Sequence, residues 1–314
     1  MRVLLPGFAM SRPYRLQLIS DLMLLAVAVV WGSSYGIAKS ALAYYPVLGL
    51  LALRFGITFV LLLPALRPMR HANLRTLSGV TGAGLLLLSI FLCETFGLLL
   101  TRAANVAFLI GLCVVLTPLV EWSLLKRRPA RIEWIAVAVS LLGAWLLTGD
   151  GALTLGRGDL LILAAAVLRA ITVCVTKQLM RDAALRPLTV TAVQSGVVAL
   201  GSGAAALMLS PAQWQHVPSI TGHLTFWGCL LYLVLACTLF AFFAQNYGIK
   251  HSSPTRVALL MGSEPAFGAL FACLWLGEQI SLTAWAGGGL IVAASLLATV
   301  RGSKGVRRPE PVPA

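Results

Sequence analysis

Apolar stretches of about 20 residues, set apart by linkers of no more than about a dozen, leave this chain few ways to fold. A helix rises about 1.5 Å per residue, so each stretch covers the roughly 30 Å of a bilayer's hydrocarbon core. They run over residues 21–42, 46–66, 76–100, 103–125, 132–149, 158–179, 188–209, 222–248, 256–276 and 282–300. All are too long and too uniformly apolar for the strands of a membrane barrel. In lipid every backbone N–H and C=O must bond within its own segment, which leaves helices. Composition excludes a soluble alternative. Of 314 residues 59% are hydrophobic and 11% charged, against roughly 45–50% and about 25% in soluble domains. The linkers leave no room for a soluble catalytic domain.

Charge orients the spans. The net charge is +14, yet the basic residues lie in short clusters between apolar runs and not along a helix face, so nucleic acid is not an expected partner. With ten spans and the N-terminus inside, the inner segments hold Arg2, Arg12 and Arg15; Arg67, Arg70 and Arg75; Lys126, Arg127, Arg128 and Arg131; Lys177, Arg181 and Arg186; Lys250 and Arg256; and Arg301, Lys304, Arg307 and Arg308. The outer segments hold Lys39, Arg102 and Arg157, a ratio of 19 to 3 that obeys the positive-inside rule. Residues 1–20 and 301–314 are therefore expected as cytoplasmic tails. A cleavable signal peptide is not expected, because the first apolar run carries Trp31 and Lys39 and lacks a small-residue cleavage pattern. The six cysteines all fall inside apolar runs without C-x-x-C pairing, which reads as small buried hydrophobes and neither disulfides nor a metal site.

The chain also repeats itself. Residues 21–42 align without gaps on 159–180, sharing Asp21/Asp159, Leu22/Leu160, Leu25/Leu163, Ala26/Ala164, Ala28/Ala166, Val29/Val167 and Lys39/Lys177. The fifth and tenth runs match through Trp134/Trp285, Leu146/Leu297 and Thr148/Thr299. Two matches in the same order, flanking similar middles, predict a duplicated unit: residues 21–149 and 158–300. Each unit has an odd number of spans, so the second must enter the membrane upside down. The expected fold is all-α and integral to the membrane, ten helices in two five-helix inverted repeats, with a substrate site near the midplane between them.

Ten spans in two halves resemble the drug/metabolite transporter superfamily, specifically its EamA-type members. The local stretches that carry the resemblance are WGSSYG at 31–36, LALRF at 51–55, NVAFLIGLCVVLTP at 105–118 and TRVALLMGSEPAFGALFACLWLGE at 255–278. The resemblance covers nearly the whole chain apart from its two tails. Two positions depart from the family pattern: Arg169, where the second half often has Trp, and Glu94, in a third span that is usually neutral. The resemblance implies transport of small metabolites, often export of amino acids.

Ionisable residues inside apolar runs are costly, so each is a functional candidate. They are Arg54, Glu94, Glu121, Arg169 and Glu264. Arg54 reads equally as a functional charge and as one reaching headgroups or a neighbouring acid. Glu121, beside Trp122, reads as an interface anchor. Glu94, Arg169 and Glu264 offer both signs to a zwitterion. The eighth run is aromatic and polar, and Tyr232 and Gln245 lie too deep for an interfacial belt; with Trp31, Ser34 and Tyr35 they are candidates to line a mostly apolar pocket. Gly32-x-x-x-Gly36 reads as a helix-packing motif.

Two patterns point toward enzymes. Gly32–Gly36 fits G-x-S-x-G, but that motif needs a strand-to-helix elbow and a histidine partner. Gly156-Arg157-Gly158-Asp159 resembles the G-x-G-D of intramembrane aspartyl proteases, but the best partner, Asp21, falls at the opposite membrane face. No catalytic residue, metal or cofactor is expected. The expected partners are a small-molecule substrate and the lipid bilayer, with oligomeric state open. The expected function is export of small metabolites, amino acids first; the alternatives are other amphipathic solutes or drugs, or a membrane scaffold or lipid-handling protein without transport.

Overall fold

The computed structural model describes residues 12–101, 106, 109–148, 156–182, 185–209, 211–212, 217–276 and 281–302. Residues 1–11, Arg102, the first part of the fourth apolar run, Gly277-Glu278 and residues 303–314, all used in the sequence reading, lie outside the described residues.

The described chain is helical throughout, with no strand among these residues. Its helices are α1 (Arg12–Leu42), α2 (Val47–Leu62), α3 (Leu74–Leu100), α4 (Cys113–Leu125), α5 (Arg131–Thr148), α6 (Arg157–Asp182), α7 (Pro187–Leu209), α8 (Leu224–His251), α9 (Pro254–Met261), α10 (Glu264–Leu276) and α11 (Leu282–Gly302). Six segments are long and apolar enough to cross a membrane: Leu16–Leu42, Val47–Arg70, Leu74–Leu100, Arg157–Arg181, Pro187–Leu209 and Leu224–His251. Leu109–Leu125 and Trp285–Leu297 are shorter apolar helices. Helix starts follow local chemistry. Asn73 Oδ1 accepts from Thr76 N at 2.8 Å to cap α3, and Ser253 Oγ accepts from Arg256 N at 3.2 Å, with Pro254 supplying the first turn of α9.

Two helices depart from the uniform spans expected. In α8, Leu235–Phe240 is a π turn. Thr238 Oγ1 donates to Leu233 O, five residues back, at 2.7 Å, and the Cys237 carbonyl accepts from Trp31 Nε1 at 3.0 Å. The ninth run, read as one span over 256–276, is broken at Gly262-Ser263. Pro265 has no N–H to give the Met261 carbonyl, which favours a break there. Ser263 Oγ instead donates to Leu260 O at 2.7 Å, and Glu264 opens α10.

Helix neighbours fall into matched sets. α3 packs on α6 as α8 does on α1; α4 packs on α6 as α9 and α10 do on α1; and α3 packs on α7 as α8 does on α2. The pairs α2–α7 and α5–α11 close the set. α1 and α10 nearly touch backbones at Gly32: a Cβ there would sit 2.7 Å from both Glu264 O and Gly268 N.

At the basic end of the bundle, polar tethers hold the helix termini. Arg256 on α9 forks onto Asp21 on α1, Nε to Oδ1 at 3.1 Å and Nη2 to Oδ2 at 2.6 Å. Glu121 is fully buried, contrary to an anchoring role at the interface; it accepts Thr255 N at 2.9 Å, the Thr255 hydroxyl, and Arg127 Nη1 at 2.9 Å. Arg127 lies beyond the spans. Burial works against its charge, but the hydrogen bond to Glu133 and the Glu121 and Glu133 charges outweigh that and raise its pKa above the ordinary value.

Candidate functional site

Between α1, α3, α6, α8 and the start of α10 lies a cavity of about 600 Å³, counting its mouth. Its walls come in stripes. α3 contributes Leu87, Ile90, Phe91 and Glu94, and α8 contributes Phe242, Gln245, Asn246 and Ile249, both at the spacing of one helix face. α1 contributes Trp31, Ser34 and Tyr35, and α6 contributes Arg169, Thr172 and Val173. The gapless alignment of 21–42 on 159–180 pairs those two trios position for position. Arg54 of α2 and Gln194 of α7 complete the wall with Thr176 and Glu264.

Seven of the eight sequence candidates thus line one cavity: Trp31, Ser34, Tyr35, Glu94, Arg169, Gln245 and Glu264. Tyr232 does not. Its hydroxyl shares a 2.6 Å hydrogen bond with Ser33 Oγ and reaches Val30 O at 3.4 Å, tying α8 to α1. Ser34 Oγ donates to Trp31 O at 2.8 Å within a continuous helix, so no elbow surrounds the G-x-S-x-G match. Asp21 and Asp159 have different partners, Arg256 and, at 2.6 Å, the Thr101 hydroxyl.

The electrostatic centre is a buried cluster. Arg169 Nη2 lies 2.9 Å from Glu264 Oε2, Glu264 Oε1 accepts from the Tyr35 hydroxyl, and the guanidinium carbon stands 4.5 Å from the centre of the Trp31 ring. The helix break places Glu264 in the first turn of α10, where a carboxylate complements the helix dipole. Arg54 is only 7% exposed, so it does not reach headgroups. Its Nε donates to Thr238 Oγ1 at 2.6 Å and its Nη2 to Cys237 O at 3.4 Å. The π turn of α8 therefore anchors both Trp31 and Arg54. Asn246 Nδ2 donates to Thr191 Oγ1 and Gln194 Oε1, both at 3.0 Å. Among the described residues no group of His, Cys, Asp and Glu is placed to hold a metal.

Sequence reasoning missed Phe91, Phe242, Asn246, Thr172, Thr176 and Gln194. Helical spacing from Glu94 and Gln245 would have found the first two, and a further turn from Phe242 the third. Gln194 was findable by setting Gln194-Ser195-Gly196 against Arg54-Phe55-Gly56.

The sequence model of the EamA-like transporter family matches this chain twice, over residues 18–149 and again over 156–300. The chain belongs to the EamA-like transporter family. EamA relatives include the uncharacterized inner membrane transporter YedA of Escherichia coli (strain K12), 26% identical over 88% of this chain and 89% of that protein. An uncharacterized transporter of Archaeoglobus fulgidus is 24% identical over 91% of this chain and 87% of its own length. The uncharacterized transporter YwfM of Bacillus subtilis (strain 168) is 28% identical over 62% of this chain, and the match spans 64% of that relative. A solved structure titled only as the crystal structure of a protein superimposes with a TM-score of 0.73, at 19% identity, over 90% of this chain and 96% of that one. This EamA protein is a multi-pass membrane transporter.

Proposed function

We propose that this protein exports small zwitterionic metabolites, amino acids first, across the inner membrane by alternating access around its central cavity. One observation carries the reading: a cavity walled by Trp31, Tyr35, Phe91 and Phe242 that holds two acidic and two basic side chains. A zwitterion entering an apolar site needs both signs opposite it, because an unpaired charge there is costly. The aromatic walls suit an apolar or aromatic side chain. The inner-membrane location rests on the basic clusters and on the name of the Escherichia coli relative.

The duplicated ten-span architecture, with units 21–149 and 158–300, is supported by three agreements. The family model matches each half, helix neighbours recur in matched sets, and the α1 and α6 trios that line the cavity occupy aligned positions. Two halves of opposite orientation around a shared site are the ordinary basis of rocking transport.

A second reading has its own support. Arg169 and Glu264 neutralise each other at 2.9 Å, and a cavity recognising shape would suit amphipathic solutes or drugs. Uptake of each labelled amino acid into proteoliposomes, with and without unlabelled competitor, separates the two. Saturable flux of one or more amino acids supports the first reading. If none moves while amphipathic dyes do, the second stands; if neither moves, the protein is a scaffold or handles lipid.

A further inference from the structure

Four charged side chains line the cavity, but two of them are already matched. Arg169 and Glu264 pair with each other, the second oxygen of Glu264 takes the Tyr35 hydroxyl, and Trp31 covers the guanidinium. Arg54 and Glu94 form no ion pair among the described residues, although each feels the other's charge and Glu94 that of Arg169. The guanidinium of Arg54 meets only neutral acceptors, Thr238 Oγ1 and Cys237 O, and the faces of Phe55 and Phe91 at 5.2 and 5.0 Å. Its Nη1 makes no hydrogen bond among the described residues, and no carboxylate pairs with it. Glu94 makes neither a hydrogen bond nor an ion pair with any described residue. Gln245, 7% exposed, lines the same space without a hydrogen-bond partner among the described residues.

We infer that Arg54 and Glu94, and not Arg169 and Glu264, meet the carboxylate and the ammonium of a zwitterionic substrate. The inference deepens the amino-acid reading above and rests on it. A lone cation would leave Arg54 unmatched, and a lone anion would leave Glu94 unmatched; only a molecule carrying both charges satisfies the two together. Phe91 is the wall between them. It stacks on Arg54 and precedes Glu94 by three residues, about one turn of α3. A substrate backbone lying across Phe91 thus has the Nη1 donor of Arg54 at one end and the Glu94 carboxylate at the other. Arg54 is preset, since the π turn of α8 holds its Nε and Nη2 and leaves Nη1 for the ligand. Phe242, 5.9 Å from Phe91, continues the apolar surface for the side chain. The Arg169–Glu264 pair then serves to hold α6 against α10.

The test uses the full chain in proteoliposomes and reads inhibition of labelled phenylalanine uptake by three unlabelled compounds: phenylalanine, its amine phenethylamine, and its desamino acid phenylpropionate. The parent is expected to prefer phenylalanine to either analogue by about tenfold, the worth of one charge-assisted contact. Glu94→Gln should lose its preference for phenylalanine over phenylpropionate while keeping that over phenethylamine. Arg54→Gln should do the reverse, and Glu94→Asp and Arg54→Lys should keep the parent's order. A merely structural role lowers all affinities together and leaves the ratios alone. If the parent takes up phenylalanine and both Gln variants keep its ratios, the assignment to Arg54 and Glu94 is overturned and the amino-acid reading survives. Should Arg54→Gln fail to reach the membrane, the Glu94→Gln ratios decide alone. If the parent takes up no amino acid, the amino-acid reading falls, and this inference with it.

Discussion

Arg169 is 8% exposed and Glu264 3%, so each faces the other where water would otherwise solvate it. Desolvating two ions is expensive, and the pair recovers that cost only through close geometry and further hydrogen bonds, here from Tyr35. Removing one partner is worse than removing both, since it strands the other charge in a low-dielectric interior. Glu264→Gln should therefore destabilise the protein by about 3–5 kcal/mol, while Arg169→Gln combined with Glu264→Gln should recover a large part of that loss. Thermal unfolding of the purified variants in one detergent measures both; equal melting temperatures for the single and double variants would refute the coupling. The charges themselves were legible in the sequence, because an ionisable side chain in an apolar run is conspicuous. Their pairing was not. Arg169 and Glu264 are 95 positions apart, and nothing in the sequence alone says whether Glu94 or Glu264 reaches Arg169.

That choice is made by helix packing. Gly32 lets α1 approach α10 until a Cβ would meet Glu264 O and Gly268 N at 2.7 Å. These are backbone atoms, which cannot rotate away. Gly36, one turn on, is different: a Cβ there would have only the Phe271 ring within reach, at 3.9 Å. The sequence motif Gly32-x-x-x-Gly36 thus divides into one glycine that packing requires and one that it does not. Gly32→Ala should push α10 off α1, separate Tyr35 from Glu264, and lower the melting temperature by several degrees with a matching loss of flux; Gly36→Ala should leave both close to the parent. Equal effects at the two sites would mean the close approach is not where stability resides. The other features hidden from a reading of apolar runs are the π turn at Leu235–Phe240 and the break at Gly262-Ser263. The first carries no composition signal, since LACTLF is as apolar as its surroundings. The second has one, Pro265, whose missing N–H favours a split of the span there.

At the scale of the molecule, apolar length and the placement of Lys and Arg made the membrane fold legible, because both act through the solvent and not through particular contacts. The proposed repeat rests on Asp21/Asp159 and Lys39/Lys177, and positions they bracket on both helices line the cavity. The proposed duplication of five spans would put the two copies in opposite orientations, since an odd number of crossings leaves the chain on the other side when the second copy begins. Loops at the same place in each copy must then face opposite compartments. Ala72, between the second and third spans, and Ser219, between the seventh and eighth, are such a pair. In a background lacking the six native cysteines, Ala72→Cys should react with an impermeant maleimide only after the membrane is opened, whereas Ser219→Cys should react in intact cells. The basic residues make the same assignment, with Arg67, Arg70 and Arg75 around the first loop and no Lys or Arg between Thr189 and Tyr247, the stretch that includes the second. A parallel duplication would place both loops on one side, so labelling of Ala72→Cys and Ser219→Cys from the same compartment would rule out the inverted arrangement and any rocking mechanism built on it.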